Sequence, residues 1–287
     1  MEASPYHRHL SGALFPRVAH DWGRKYNDHF SLSSWWRLGY VVAMKLFKAT
    51  LVTVSSLILL APPAFAQENN TLTDAEKAAG WQLLFDGKTF NGWHNFKKDG
   101  VATGWEIQDG AMVDVQHGGD IVTSNQFDWF ELELDYKISE DGNSGIMFHV
   151  TDTGPTIWAT GPEFQLEDNS TAADPWRCGW LYDLYKPPVD SATGKPIDAT
   201  KPANQWNHVR LVIAPPPAKC EHYINGVKYF DYVLHSDDFN ARLAKSKFAH
   251  MAFTKDFAKS DIGFIGLQGD HPGAVSFRNI KIRIIKP

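Results

Sequence analysis

The stretch Phe130 to Ile138, FELELDYKI, alternates apolar and charged side chains without a break. Phe130, Leu132, Leu134, Tyr136 and Ile138 fall on one side, and Glu131, Glu133, Asp135 and Lys137 on the other. A period of two can bury its apolar set only as a β-strand with one wet face, because a helix would scatter those residues around its circumference. The pattern recurs. Val209, Leu211 and Ile213 oppose Trp206, His208 and Arg210, and Ile280, Ile282 and Ile284 oppose Asn279, Lys281 and Arg283. Between two further strand-like runs sits Asn225-Gly226, a pair that readily adopts the positive φ angles of a two-residue hairpin. From Trp81 onward the chain reads as short strands parted by Gly, Asn, Asp and Pro turns, which predicts an all-β sandwich or jelly roll of antiparallel sheets. Helical signals are confined to two places. Thr73 precedes Glu76 at capping-box spacing, and Ser236 caps a segment with Phe239 and Leu243 one turn apart.

The segment Met44 to Ala66 has a different character. Lys45 and Lys48 open it, an apolar run from Ala49 to Leu60 follows, and Pro62-Pro63 precedes Ala64-Phe65-Ala66. That order predicts an export signal cleaved after Ala66 and a periplasmic or secreted protein. The apolar run is shorter than the roughly 20 residues that cross a bilayer, so no membrane association is expected after cleavage. Residues 1–43 then read as an extension from a start assigned too far upstream, residues 67–79 as a lead-in with a short helix, and residues 80–287 as a single domain. The formal net charge is −5, and removing the basic leader makes it more negative. Nucleic acid and anionic membrane are poor partners for such a chain. The only cysteines, Cys178 and Cys220, lie far apart in sequence and do not by themselves dictate a disulfide.

Chemistry is suggested by GPEFQLEDN, where alternation puts Glu163, Gln165 and Glu167 on one side of a strand and Phe164 and Leu166 on the other. Tryptophan is abundant, and Trp93, Trp158, Trp176 and Trp180 fall in loop-like contexts. Indole faces pack on sugar rings while their N–H groups bond hydroxyls, so carbohydrate is the natural ligand class. A retaining laminarinase would need a second Glu three residues after Asp135, and Ile138 stands there instead. No tightly spaced metal motif appears. Other candidate polar groups are His149, Tyr182, Tyr185, Asp270 and His271; alternation with Ile146 and Phe148 puts His149 on the less apolar side of its strand. The Pro-rich stretch from Tyr185 to Gln205 is long enough to predict a lid or a disordered loop.

Taken in order, LFDGKTFNGWHNF, GNSGIMFHV, GPEFQLEDN, LYDLYKP, WNHVRLVI, EHYINGVKYFDY and LQGDHPGAVSFRNIKIR resemble the 3-keto-disaccharide hydrolase domain family over about Gly80 to Lys286. The resemblance implies a concanavalin A-like sandwich with a concave sugar-binding face. It also implies hydrolysis of glycosides already oxidised at C3 by a separate sugar 3-dehydrogenase. A C3 ketone acidifies the C2 hydrogen, so a base can remove it, the enolate can expel the C1 substituent, and water can add to the enone. No hydride cofactor is required. The positions matching the family's phrases are His149, Glu163, Gln165, Asp168, Tyr182, Asp270 and His271. For this elimination the expected roles are His149 or Glu163 as base, His271 held by Asp270 as acid or oxyanion donor, and Gln165 and Tyr182 as hydroxyl contacts. Asp168, Tyr185, Trp158 and Trp180 are further expected substrate contacts. A Ca²⁺ ion, common in lectin-like sandwiches, could organise an oxyanion site, although no ligand spacing points to one. Gly269 separates Gln268 from Asp270, where many relatives have Asp-His directly after Gln. A non-catalytic carbohydrate-binding module is the alternative on the same fold.

Overall fold

The computed structural model describes residues 67–172 and 177–286; the leader, the signal-like segment Met44 to Ala66 and Trp176 lie outside them. In chain order the strands are β1 (Trp81–Leu83), β2 (Trp93–Asn95), β3 (Trp105–Gln108), β4 (Ala111–Asp114), β5 (Ile121–Thr123), β6 (Phe130–Ile138), β7 (Asn143–Val150), β8 (Glu163–Glu167), β9 (Asn207–Ile213), β10 (Cys220–Ile224), β11 (Val227–Tyr232), β12 (Phe264–Leu267) and β13 (Val275–Ile284). They form two antiparallel sheets. The larger runs β11-β10-β9-β6-β13-β4-β3, with β1 paired to the far half of β13, and the smaller runs β2-β5-β12-β7-β8. The expected sandwich is therefore present. Two short α-helices, α1 (Asp74–Ala78) and α2 (Asp237–Leu243), sit where the capping signals place them, with Thr73 and Ser236 as their N-caps.

Strand β6 shows how the pattern becomes packing. Its apolar set is buried in the core between the sheets, while its carboxylates meet basic side chains from the neighbouring strands. Glu131 pairs with Arg210 and Arg283, Glu133 accepts from Lys281 at 2.8 Å, and Asp135 meets His208 at 2.9 Å. The hairpin at Asn225 (φ 49°) and Gly226 (φ 80°) joins β10 to β11 as expected. Trp93 is not a loop residue. It lies in β2, buried, with its indole N–H donating to the Leu84 carbonyl at 2.7 Å. Cys178 and Cys220 are buried and unbridged, and burial pushes both thiols up to about 12.

The smaller sheet carries one irregularity that matters for function. In the β7–β12 ladder Met147 faces Gly266 and Val150 faces Phe264, so Phe148 and His149 together oppose Ile265 alone. This is a β-bulge, with His149 as the residue at positive φ (53°). The extra residue turns His149 onto the same side as Phe148. Its ring packs edge-on against Trp129, Phe130 and Phe148, and its Nε2 lies 2.5 Å from the Asp128 carbonyl. The expectation that His149 faces away from the apolar side is thus corrected.

Candidate active site

The face of the smaller sheet turned away from the core is where Glu163 and Gln165 point, since Phe164 and Leu166 occupy the core side of β8. A cavity of about 240 Å³ lies there, lined by Asn143, Trp158, Glu163, Gln165, Tyr182, Lys247, Phe248, Gln268 and His271. Its floor comes from adjacent strands. β7 supplies Asn143 at its start, β8 supplies Glu163 and Gln165, and Gln268 directly follows β12. The Gln268 backbone is clamped, donating to the Gly145 carbonyl at 3.0 Å and accepting from the Ser144 hydroxyl at 2.8 Å.

The walls come from segments laid over that sheet. Residues 179–182 run beside β8, with Gln165 N–H donating to the Trp180 carbonyl (3.0 Å) and Tyr182 N–H to the Glu163 carbonyl (2.9 Å), and this carries Tyr182 over the floor. Trp158 sits on the 3₁₀ turn Ile157–Ala159. Lys247 and Phe248 sit on another, Lys247–Ala249, whose first N–H donates to the Asp183 carboxylate at 2.7 Å. The ammonium of Lys247 lies 4.2 Å from the Tyr182 ring centroid, 5.3 Å from Phe248 and 5.6 Å from Trp158. A cation held among aromatic faces in this way is attracted by their quadrupoles. His271 closes one side from the β12–β13 connection. Gly269 in that turn admits no side chain, since a Cβ there would stand 2.6 Å from Trp105 and 3.0 Å from Asp114.

Electrostatics single out Glu163. Burial pushes its carboxyl up from 4.5 to about 8, against the favourable charge of Lys247 and with the help of Asp120 and Asp270. Lys247 moves the other way, its amine lowered by burial although Glu163 and Asp183 oppose the shift. Acid and cation thus both move toward neutrality, as burial makes any ionisable group do, and groups perturbed in this way cluster at functional sites. Beside Glu163 the backbone of Gly145 leaves no room for a side chain, because a Cβ there would meet the carboxylate Oε1 at 2.2 Å. Gln165 donates to Asn143 at 3.3 Å, and the carbonyl oxygen of the buried Gln268 side chain has no hydrogen-bond partner among the described residues. Amide groups so placed are suited to sugar hydroxyls.

The structure brings Glu163, Gln165, Tyr182, Trp158 and His271 together, with Asp270 on the flank at 3.8 Å from His271, beyond hydrogen-bond distance. It separates the others. His149 is in the core as described. Asp168 is consumed by a turn, accepting from the N–H groups of Asp141 and Ser170 and from the Ser170 hydroxyl. Tyr185 stacks among Phe230, Tyr232 and Phe239, and its hydroxyl donates to Asp238 at 2.6 Å. Trp180 is buried outside the lining, and Glu167 lies beyond it, pushed up to about 7 by burial. No residue of the stretch Tyr185 to Gln205 lines the cavity, so that loop is not its lid. Asn143, Lys247, Phe248 and Gln268 were not anticipated. For the Ca²⁺ ion considered above, no three His, Cys, Asp or Glu side chains converge as ligands among the described residues.

Residues 80–283 match the family profile of the 3-keto-alpha-glucoside-1,2-lyase-like domain. The chain belongs to this family. A 3-keto-disaccharide hydrolase from Bacteroides thetaiotaomicron is 30% identical over 253 residues, which cover 77% of this chain and 83% of the relative. A crystal structure from Parabacteroides distasonis, of a protein provisionally named a glycosyl hydrolase, is 31% identical with a TM-score of 0.66 and spans 76% of this chain and all of the other. A second from the same organism, named likewise, is 26% identical with a TM-score of 0.50, over 71% and 99% of the two chains. The lyase-like domain thus contains every residue that lines the cavity.

Proposed function

We propose that this protein is a carbohydrate hydrolase that cleaves 3-keto-glycosides by elimination and water addition. The observation that carries the reading is that Glu163 is the sole carboxylate lining the cavity among the described residues. Ordinary glycosidases flank the scissile bond with two carboxyl groups, whereas elimination from a 3-keto sugar needs one base, a cation near the ketone and an acid for the leaving group. Glu163 is the base that removes the C2 hydrogen, and its proximity to Lys247 supports a cation beside the C3 oxygen as negative charge develops there. His271, half-exposed at the rim, is the acid that protonates the departing oxygen in this reading. Gln165, Asn143 and Gln268 meet the ring hydroxyls. Water then adds at C1 of the enone and the free 3-keto sugar leaves. The names of the relatives agree with this chemistry.

Such a substrate is the product of a separate sugar 3-dehydrogenase, and the signal-like segment Met44 to Ala66 supports an exported site of action. The test pairs trehalose with 3-keto-trehalose and follows release of glucose. Cleavage of the oxidised form alone is expected. Cleavage of plain trehalose would restore a conventional glycosidase, and binding without cleavage of either would leave a carbohydrate-binding module.

A further inference from the structure

The cavity is small, about 240 Å³, compared with the roughly 300–1,000 Å³ of pockets that enclose drug-sized ligands. One pyranose ring fills it, so whatever is attached at C1 must lie at the mouth. Glu163, Gln165 and Gln268 of the floor and Tyr182 and Phe248 of the walls are buried, whereas Trp158 and His271 are only partly covered and form the rim. Against Trp158 stands Phe253, with ring centroids 5.3 Å apart and planes at 70°. Phe253 is 44% exposed and is the sole aromatic residue among the exposed large hydrophobic side chains of the described residues.

That exposure is not the result of a loosely held segment. Phe253 rides on the 3₁₀ turn Ala252–Thr254, and the buried Thr254 hydroxyl is hydrogen-bonded within the turn region, 2.6 Å from the Phe248 carbonyl and 2.9 Å from that of Met251. Phe248 in turn stacks on Phe257 at 3.8 Å. The ring is therefore held in water next to the cavity wall by a braced turn. Its predecessors Met251 and Ala252 offer no side-chain partner for a sugar hydroxyl.

We infer that Trp158 and Phe253 form a leaving-group subsite for flat aromatic aglycones, so that the preferred substrates are aryl glycosides. The inference rests on the reading of the cavity as a sugar-binding active site. An aromatic ring at C1 can pack on both Phe253 and Trp158, whereas a second sugar, although it too can pack on the indole, finds no polar side chain from Met251 or Ala252 beside Phe253 for its hydroxyls.

The experiment separates this subsite from the chemistry. Binding of phenyl α-glucoside and methyl α-glucoside, neither of them oxidised, is measured by tryptophan fluorescence for the wild type and Phe253→Ala. The phenyl compound is expected to bind roughly five- to ten-fold more tightly, and the advantage should vanish in the variant while methyl glucoside binding stays within about two-fold. In parallel, kcat/KM is compared for 3-keto-trehalose and a 4-nitrophenyl 3-keto-glucoside, and the substitution should depress only the aryl substrate, through KM. Equal binding of the two glucosides by the wild type, or an equal loss on both oxidised substrates, overturns the subsite. A phenyl advantage that depends on Phe253, without cleavage of either oxidised substrate, upholds the subsite and overturns the proposed reaction instead.

Discussion

Replacing Glu163 by Gln should make the protein more stable at alkaline pH while removing its activity. In the unfolded chain the carboxyl ionises near 4.5, and in the folded protein burial raises it to about 8. Between those values the folded state binds more protons than the unfolded state, so stability is complete below about pH 4.5 and is lost as pH rises toward 8. A shift of this size corresponds to at most about 5 kcal/mol, and contact of the cavity with water reduces the expected effect to about 2 kcal/mol. Glutamine keeps the shape and does not titrate. Urea unfolding of both proteins at intervals from about pH 4.5 to about pH 8.5 should therefore give curves that meet at the acid end and diverge as pH rises, with the variant above. Asp120 and Glu167, which burial also raises to about 7, titrate in both proteins and interact with Glu163, so the difference between the curves reports Glu163 together with its coupling to them. The variant should also lose roughly 10²- to 10⁴-fold in kcat/KM on a 3-keto substrate. Parallel stability curves would refute the burial argument, and an active variant would refute the role of the carboxylate.

In the wild type, kcat/KM should rise with pH as Glu163 loses its proton, with a midpoint near 8; a midpoint near the ordinary carboxylate value in the pH–rate profile would contradict it. Gly145→Ala drives a methyl group into Oε1 of Glu163, whose side chain can swing aside, so a fall of about 10²-fold in kcat with little change in unfolding midpoint is expected. His149→Ala empties part of the core, and chemical denaturation should show a loss of about 2–4 kcal/mol, while turnover per folded molecule stays within a few-fold. Abolished turnover in a folded His149→Ala protein would return His149 to the mechanism. N-terminal sequencing of protein recovered from the exporting cell should begin at Gln67.

Much of this architecture is legible in local pattern. The alternation over Phe130 to Ile138 matches β6 residue for residue, Asn225-Gly226 is the turn that joins β10 to β11, and both cap side chains accept from the N–H three residues on, Thr73 from Glu76 and Ser236 from Phe239. The pairing of Glu163 with Gln165 on one face is legible for the same reason. His149 was misplaced because alternation holds only in an unbroken ladder. One histidine at positive φ inserts an extra residue and reverses the side on which it lies. Lys247 carries no motif, and its importance comes from the aromatic rings and the carboxylate around it, which are contributed by distant parts of the chain. Asn143 and Gln268 belong to phrases that the family resemblance uses, yet nothing in their immediate neighbours distinguishes them from surface amides.

By itself the sequence determined that this chain is built of short β-strands suited to a sandwich, with a polar-faced strand through Glu163 and Gln165, because side-chain alternation and turn chemistry act over a few neighbouring residues. Only the tertiary structure decided which polar groups share one cavity. That choice depends on cross-strand register, on a single bulge in β7, and on covering turns that desolvate Glu163 and Lys247 together, and each of these is set by contacts between residues far apart in the chain.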